Sequence, residues 1–248
     1  MLGSMILRYL PLLFEAPSAF AILIAAFAVS MLVGLIFHEY CHAVVANRLG
    51  DPTARLLGRL TLNPKAHYDP IGTTMILFAG FGWAKPVPVN PNYTANPKRS
   101  MLLIAFAGPA SNLIVAGLAG LPIRMQWVPF WHPFVGSDTA ERWAAVWTRT
   151  PMDLAGLFLG TVVLLNVFLA VFNLLPIPPL DGSKVLMGLL PERLAQQYAR
   201  LEPWGMGLLM LLILAPYLTD GVVSMFIVTG PIIDFLLDLF VGSPSGFG

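Results

Sequence analysis

Three side chains able to do chemistry stand close together in an otherwise apolar run. They are His38, Glu39 and His42 in MLVGLIFHEYCHAVVANRLG, residues 31–50. His38 and His42 are four apart and so share one face of a helix. Two imidazoles at that spacing can hold one Zn2+ ion, with the Glu of the H-E-x-x-H pattern beside a water on the ion. Zinc lowers the pKa of such a water to roughly 7. Glu39 can then accept its proton and deliver it to a leaving amine. The competing reading is a pair of hydrogen-bonded core histidines. It is weakened because the chain has only four histidines and because an ionisable group inside a membrane span marks a functional site.

A catalytic zinc takes a third protein ligand and keeps an open position. Few carboxylates lie near a span, and Asp181 in NLLPIPPLDGSKVL stands out. Pro176, Pro178 and Pro179 stop the preceding helix, and Gly182 frees the backbone after the aspartate. Taken alone, Asp181 reads equally well as a cap for a helix starting at Ser183. Depth favours the metal. His38 and His42 sit roughly 10 Å inside one end of their span at 1.5 Å rise per residue, and Asp181 lies just past the end of another span on the same side.

The elements that must position these residues are membrane spans. The 248 residues are 57% hydrophobic, with a mean hydropathy of +0.75 and only 11% charged side chains, against roughly 25% in a soluble domain. The formal net charge of +1 offers no nucleic-acid surface. A single cysteine, Cys41, excludes an intrachain disulfide. On a helix it points about 100° from each neighbour, so it reads as packing. Glu15 and Pro17 interrupt the N-terminal apolar run, and no cleaved signal peptide is expected.

Residues 18–47, 101–121 and 154–175 each suffice to span a bilayer. Residues 205–219 and 222–241 supply one or two more, the last holding Asp234 and Asp238. Residues 71–82 are apolar but short, which fits a re-entrant helix. The expected fold is an all-α polytopic membrane protein, a bundle of about four to six transmembrane helices with a small extended or β element and a re-entrant segment. We expect one membrane-embedded domain over 1–248, with core motifs in 20–190 and C-terminal helices in 204–241. Arg48, Arg55, Arg59, Lys65, Lys98, Arg99, Lys184, Arg193 and Arg200 fall on one side of this arrangement and Arg124, Arg142 and Arg149 on the other, a modest bias by which the positive-inside rule assigns the first side to the cytoplasm.

FHEYCHA, LNPKAHYDPIG, GWAKPVPVNP, AGPASN and NLLPIPPLDG, in that order, together resemble the site-2 protease family of intramembrane zinc metalloproteases. The resemblance implies His38, His42 and Asp181 as zinc ligands, Glu39 as catalytic base, and cleavage of a transmembrane protein substrate near the cytoplasmic side. It is to the compact, stand-alone branch, without a PDZ insertion or a CBS domain. The expected setting is the lipid bilayer of a prokaryotic cytoplasmic membrane. No oligomeric state follows from the sequence.

Other residues support or complicate this. Asn173, an amide within a span, either donates to the scissile carbonyl or ties down the proline-rich turn; the resemblance favours a place near substrate. Pro109 kinks the 101–121 helix, and Ser111 or Asn112 is expected to satisfy the freed carbonyls. His67, in a loop, either reaches the zinc or its water in a closed state or bonds to backbone. In KPVPV, Val87 and Val89 keep their N–H groups on one edge, which could join a small sheet or hold an unwound substrate. Gly117 and Gly120, and Gly205 and Gly207, suit close helix contact. Two other functions compete: a metal-ion transporter, which would not need Glu39, and a membrane zincin of another family, with Glu192 or Glu202 as third ligand.

Overall fold

Proline opens each of the three longest helices, α1 (Pro17–Arg48), α2 (Pro97–Arg124) and α3 (Pro151–Asn173). Its missing N–H costs nothing at that position and its fixed φ suits a helix start. Side-chain caps reinforce two of these starts. Asn96 accepts the Arg99 N–H at 3.1 Å, and the Thr150 hydroxyl accepts the Asp153 N–H at 3.2 Å. In this computed structural model the described residues are 9–79, 82–133, 135, 137–220, 222 and 224–242.

With 32, 28 and 23 residues, these helices exceed the roughly 20 needed to cross a bilayer. A fourth candidate span is Glu192–Leu218, whose apolar half is α5 (Gly205–Leu218). It follows the short α4 (Asp181–Leu189). The last helix, α6 (Phe226–Val241), has 16 residues and carries the two aspartates noted above. With four helices this long and apolar among the described residues, the chain is an integral membrane protein.

α1, α2 and α3 pack on one another. Gly34, Asn112 and Asn166 meet at one level, while His42 of α1 meets Ile104 of α2. The sequence rises along α1 as it falls along α2, so the two run antiparallel, and α3 returns beside α1. α3 is the most enclosed: Leu157, Val163, Val167 and Asn166 are fully buried. Val163, Val167 and Val171 join Ala116 and Ile123 of α2 and Val241 of α6 in one apolar cluster. Gly120 lies under the Phe240 backbone, where a Cβ would sit 2.7 Å from its carbonyl oxygen, and Gly205 meets Pro178 at 2.6 Å in the same sense. Gly207 faces open space, contrary to expectation.

One expected feature differs. No strand forms among the described residues, and the stretch 82–90 is irregular. Its amides go elsewhere: Lys85 N–H to the His67 carbonyl and Val87 N–H to Glu39. Residues 70–79 form a ten-residue helix, Pro70–Ala79, too short to span. The turn after it, at 80 and 81, lies outside the described residues.

Candidate metal centre

His38 and His42 project from one face of α1 and are buried within the protein. Their rings stand edge to face with centroids 4.6 Å apart. The prolines after Asn173 end α3, and the chain doubles back so that Asp181 opens α4. Gly182 allows this reversal, because a Cβ there would overlap the Leu174 carbonyl. Asp181 Oδ2 consequently lies 3.0 Å from His38 Nε2 and 3.1 Å from His42 Nε2. The carboxylate is turned to the imidazoles rather than capping a helix.

The other nitrogen of each ring is committed. His38 Nδ1 lies 2.7 Å from the Asn112 amide oxygen and His42 Nδ1 lies 2.6 Å from the Ile104 carbonyl. Both partners only accept, so both Nδ1 atoms carry protons. In the neutral rings the two Nε2 lone pairs therefore face a carboxylate oxygen. Three electron-rich atoms, all within 4.8 Å of one another, repel unless a cation lies among them. Two nitrogens and one carboxylate suit zinc, and neutral histidine with Nδ1–H bonded to an acceptor is how zinc ligands are oriented. Gly108 of α2 completes the cradle. A Cβ there would stand 2.5 Å from both Nε2 atoms, filling the space the ligand atoms face. His38, His42 and Asp181 thus form a group able to hold a metal ion.

The group lies in a cavity of about 560 Å³. Its helical floor comes from α1, α2 and α3. Its loop wall is residues 82–89, among them Trp83, Pro86, Val87 and Val89, and α5 contributes Met206, Leu209 and Ile213. Val87 N–H donates to Glu39 Oε2 at 2.8 Å, fixing the carboxylate at the cavity. The wall is held from behind. Buried Arg59 donates to the carbonyls of Ala66, Lys85 and Pro86. Buried Asp51 accepts the Asn90 N–H at 2.6 Å and both the N–H and hydroxyl of Thr53. Burial works to raise the Asp51 pKa, but these hydrogen bonds outweigh it and hold the carboxyl below the ordinary range.

The remaining sequence candidates fall in different places. Asn173 lines the cavity, with its Nδ2 donating to the Leu169 carbonyl at 2.9 Å, not to the proline turn. Asn112 does not serve the carbonyls freed by Pro109. It reaches sideways to His38, Gly34 and Asn166, and Ser111 bonds the Gly108 carbonyl instead. His67 is buried but does not join the group; its Nε2 bonds the Thr61 carbonyl. Glu192 is exposed and pairs with Lys98 at 3.5 Å, and Glu202 lines the cavity without joining the metal-ligating group. Sequence reasoning missed Asn166, Gly108 and Arg59. Asn166 carried a usable signal, an amide within an apolar span. Gly108 and Arg59 carried none, since each matters through a distant group it meets in the fold, the imidazoles for Gly108 and loop carbonyls for Arg59.

A helical membrane protein with a His–His–carboxylate group and a Glu beside it has the parts of a zinc metalloendopeptidase. Sequence comparison places it: the chain belongs to Peptidase family M50, whose model matches residues 26–215. YwhC of Bacillus subtilis is 35% identical over 189 residues, covering 76% of this chain and 80% of that protein. Rip2 of Mycobacterium tuberculosis is 31% identical over 208 residues, covering 82% and 71%. Rip2 of Mycolicibacterium smegmatis is 31% identical over 193 residues, covering 75% and 66%. All three are named as zinc metalloproteases. No solved structure matches the chain. The chain is a membrane-embedded zinc metalloprotease.

Proposed function

We propose that this protein is an intramembrane endopeptidase, hydrolysing a peptide bond in a transmembrane segment of a membrane-protein substrate near the cytoplasmic side. The observation that carries this is the meeting of His38 Nε2, His42 Nε2 and Asp181 Oδ2 inside a bundle of membrane-spanning helices. Those three residues would hold the ion. Zinc, when bound, supplies Lewis acidity and brings the pKa of a coordinated water to roughly 7.

The protein's own groups do the rest. Glu39 takes a proton from the attacking water as its oxygen bonds to the scissile carbonyl carbon. It returns that proton to the amine as the C–N bond breaks. The Val87 N–H holds the Glu39 carboxylate in place. Asn173 has two amide N–H groups; one serves Leu169, and we assign the other to the substrate carbonyl oxygen as charge develops on it. The apolar lining from α5 and Val87 suits a hydrophobic segment. The positive residues Arg48, Lys98 and Arg99 stand at the same ends of α1 and α2 as the site, which supports a cytoplasmic-facing centre.

The test compares membrane-protein fragments in cells holding wild type or Glu39→Gln. A single-span protein cut only by the wild type supports the proposal. If both proteins carry zinc and no membrane protein is cut by either, intramembrane cleavage is rejected. Zinc flux that persists in Glu39→Gln favours transport.

A further inference from the structure

A chain of side-chain hydrogen bonds runs from the backbone of α3 to the metal site. The Val162 carbonyl accepts Asn166 Nδ2–H at 2.9 Å. Asn166 Oδ1 accepts from Asn112 Nδ2 at 3.1 Å, and the same Nδ2 donates to the Gly34 carbonyl at 3.0 Å. Asn112 Oδ1 then meets His38 Nδ1 at 2.7 Å. Asn112 and Asn166 are 1% and 0% exposed, so water does not substitute for any partner.

Direction matters here because an amide has two unlike ends. If Asn112 presented its NH2 to His38, Nδ1 would have to accept. The ring proton would then sit on Nε2, where a ligand lone pair is required. Two acceptors at the NH2 end of Asn112, the Gly34 carbonyl and Asn166 Oδ1, oppose that flip, since it would leave buried oxygens facing one another. Asn166 is itself oriented by its own bond to Val162.

We propose that Asn166 is a positioning residue for the zinc site: acting through Asn112, it selects the Nδ1–H form of His38 and so presents the Nε2 lone pair. This rests on His38 being a zinc ligand. Another buried polar group of α3 provides a control. The Thr161 hydroxyl bonds the Leu157 carbonyl at 2.7 Å and is 1% exposed, yet it belongs to no chain reaching the histidines.

The experiment measures zinc affinity of the purified full-length protein by chelator competition, and the visible spectrum of its cobalt-substituted form. Asn112→Leu should bind zinc about 10- to 100-fold more weakly, and Asn166→Val about 10-fold more weakly, each with an altered cobalt spectrum. Asn166→Thr has the shape of valine but keeps a hydroxyl that can bond Val162 as Thr161 bonds Leu157, leaving a lone pair for Asn112. It should recover most of the loss. Thr161→Val should bind zinc as the wild type does. The Asn112→Leu/Asn166→Val double variant should bind no worse than Asn112→Leu alone.

Wild-type affinity with an unchanged cobalt spectrum in Asn166→Val overturns the proposal, as do additive losses in the double variant. If Asn166→Val does not fold, Gly34→Ala carries the test. Its Cβ would lie 3.0 Å from Asn166 Oδ1 and 3.3 Å from Asn112 Nδ2, and undiminished zinc affinity there rejects the relay. Full zinc binding by His38→Ala refutes the ligand assignment itself, which separates the two failures.

Discussion

The floor and the wall of the cavity are built by opposite means. The floor is three helices whose backbones satisfy themselves, so its polar side chains are free to bond across helices: Asn166 to Asn112, Asn112 to His38, His42 to Ile104. The wall at 82–90 has no helix or strand to satisfy it. It spends backbone groups on isolated side chains, namely Arg59, Asp51 and Glu39, and its Lys85 N–H on the His67 carbonyl. A floor of this kind holds ligand atoms in one geometry. A wall hung on a few side chains is expected to open at lower cost than a helical floor, as a site that must admit a polypeptide requires.

Changes to the floor residues that meet the ligand atoms should therefore weaken or abolish metal binding, and changes to the wall and its side-chain supports should spare it. The largest effect is expected for Gly108→Ala. Its Cβ would enter the space 2.5 Å from both Nε2 atoms, so zinc measured by atomic absorption should fall from stoichiometric to background. Retained zinc would break the description of the floor. Next is Glu39→Gln. It should lower turnover roughly 10²- to 10⁴-fold and keep its zinc, because the glutamine oxygen still accepts from Val87.

A smaller, local effect is expected for Arg59→Gln. It strips the guanidinium from the carbonyls of Ala66, Lys85 and Pro86, at about 1–3 kcal/mol for buried acceptors left unmet. Limited proteolysis should nick residues 60–90 several-fold faster, with zinc content unchanged. A loss of zinc would show that wall and floor are one unit.

The smallest effect concerns Asp51 and acid. Its native pKa lies below the ordinary value, so it contributes stability that is fully present above about pH 4. That stability is lost as pH falls through the native pKa. Pepsin nicking of the wall should rise in this window in the wild type. Asp51→Asn should show no such acid dependence, and an unchanged acid response would assign it to another group.

Much of this molecule was legible before its coordinates. The spans at 18–47, 101–121 and 154–175 match α1, α2 and α3 closely, because long apolar runs bounded by proline and polar caps leave few alternatives. His38 and His42 declare a shared face through local helix geometry alone. Less was readable where a residue acts through a partner far along the chain. Asn112 reads as a helper of its own kinked helix, and only the crossing of α1 and α3 turns it toward His38 and Asn166. KPVPV reads as a strand edge, but a strand needs a partner, and its amides found a carboxylate and a loop carbonyl instead.

By itself the sequence determined which segments are long and apolar enough to cross a membrane, which side chains could carry chemistry and that two histidines lie one helical turn apart. Those are properties of local periodicity and composition, and they need no neighbour. The tertiary structure alone decided that Asp181 arrives at both imidazoles, that Gly108 leaves room among them, and that Asn112 and the Ile104 carbonyl meet the Nδ1 atoms of His38 and His42. Each of these depends on distances between segments 54 to 143 residues apart, which only the packing of helices against one another can set.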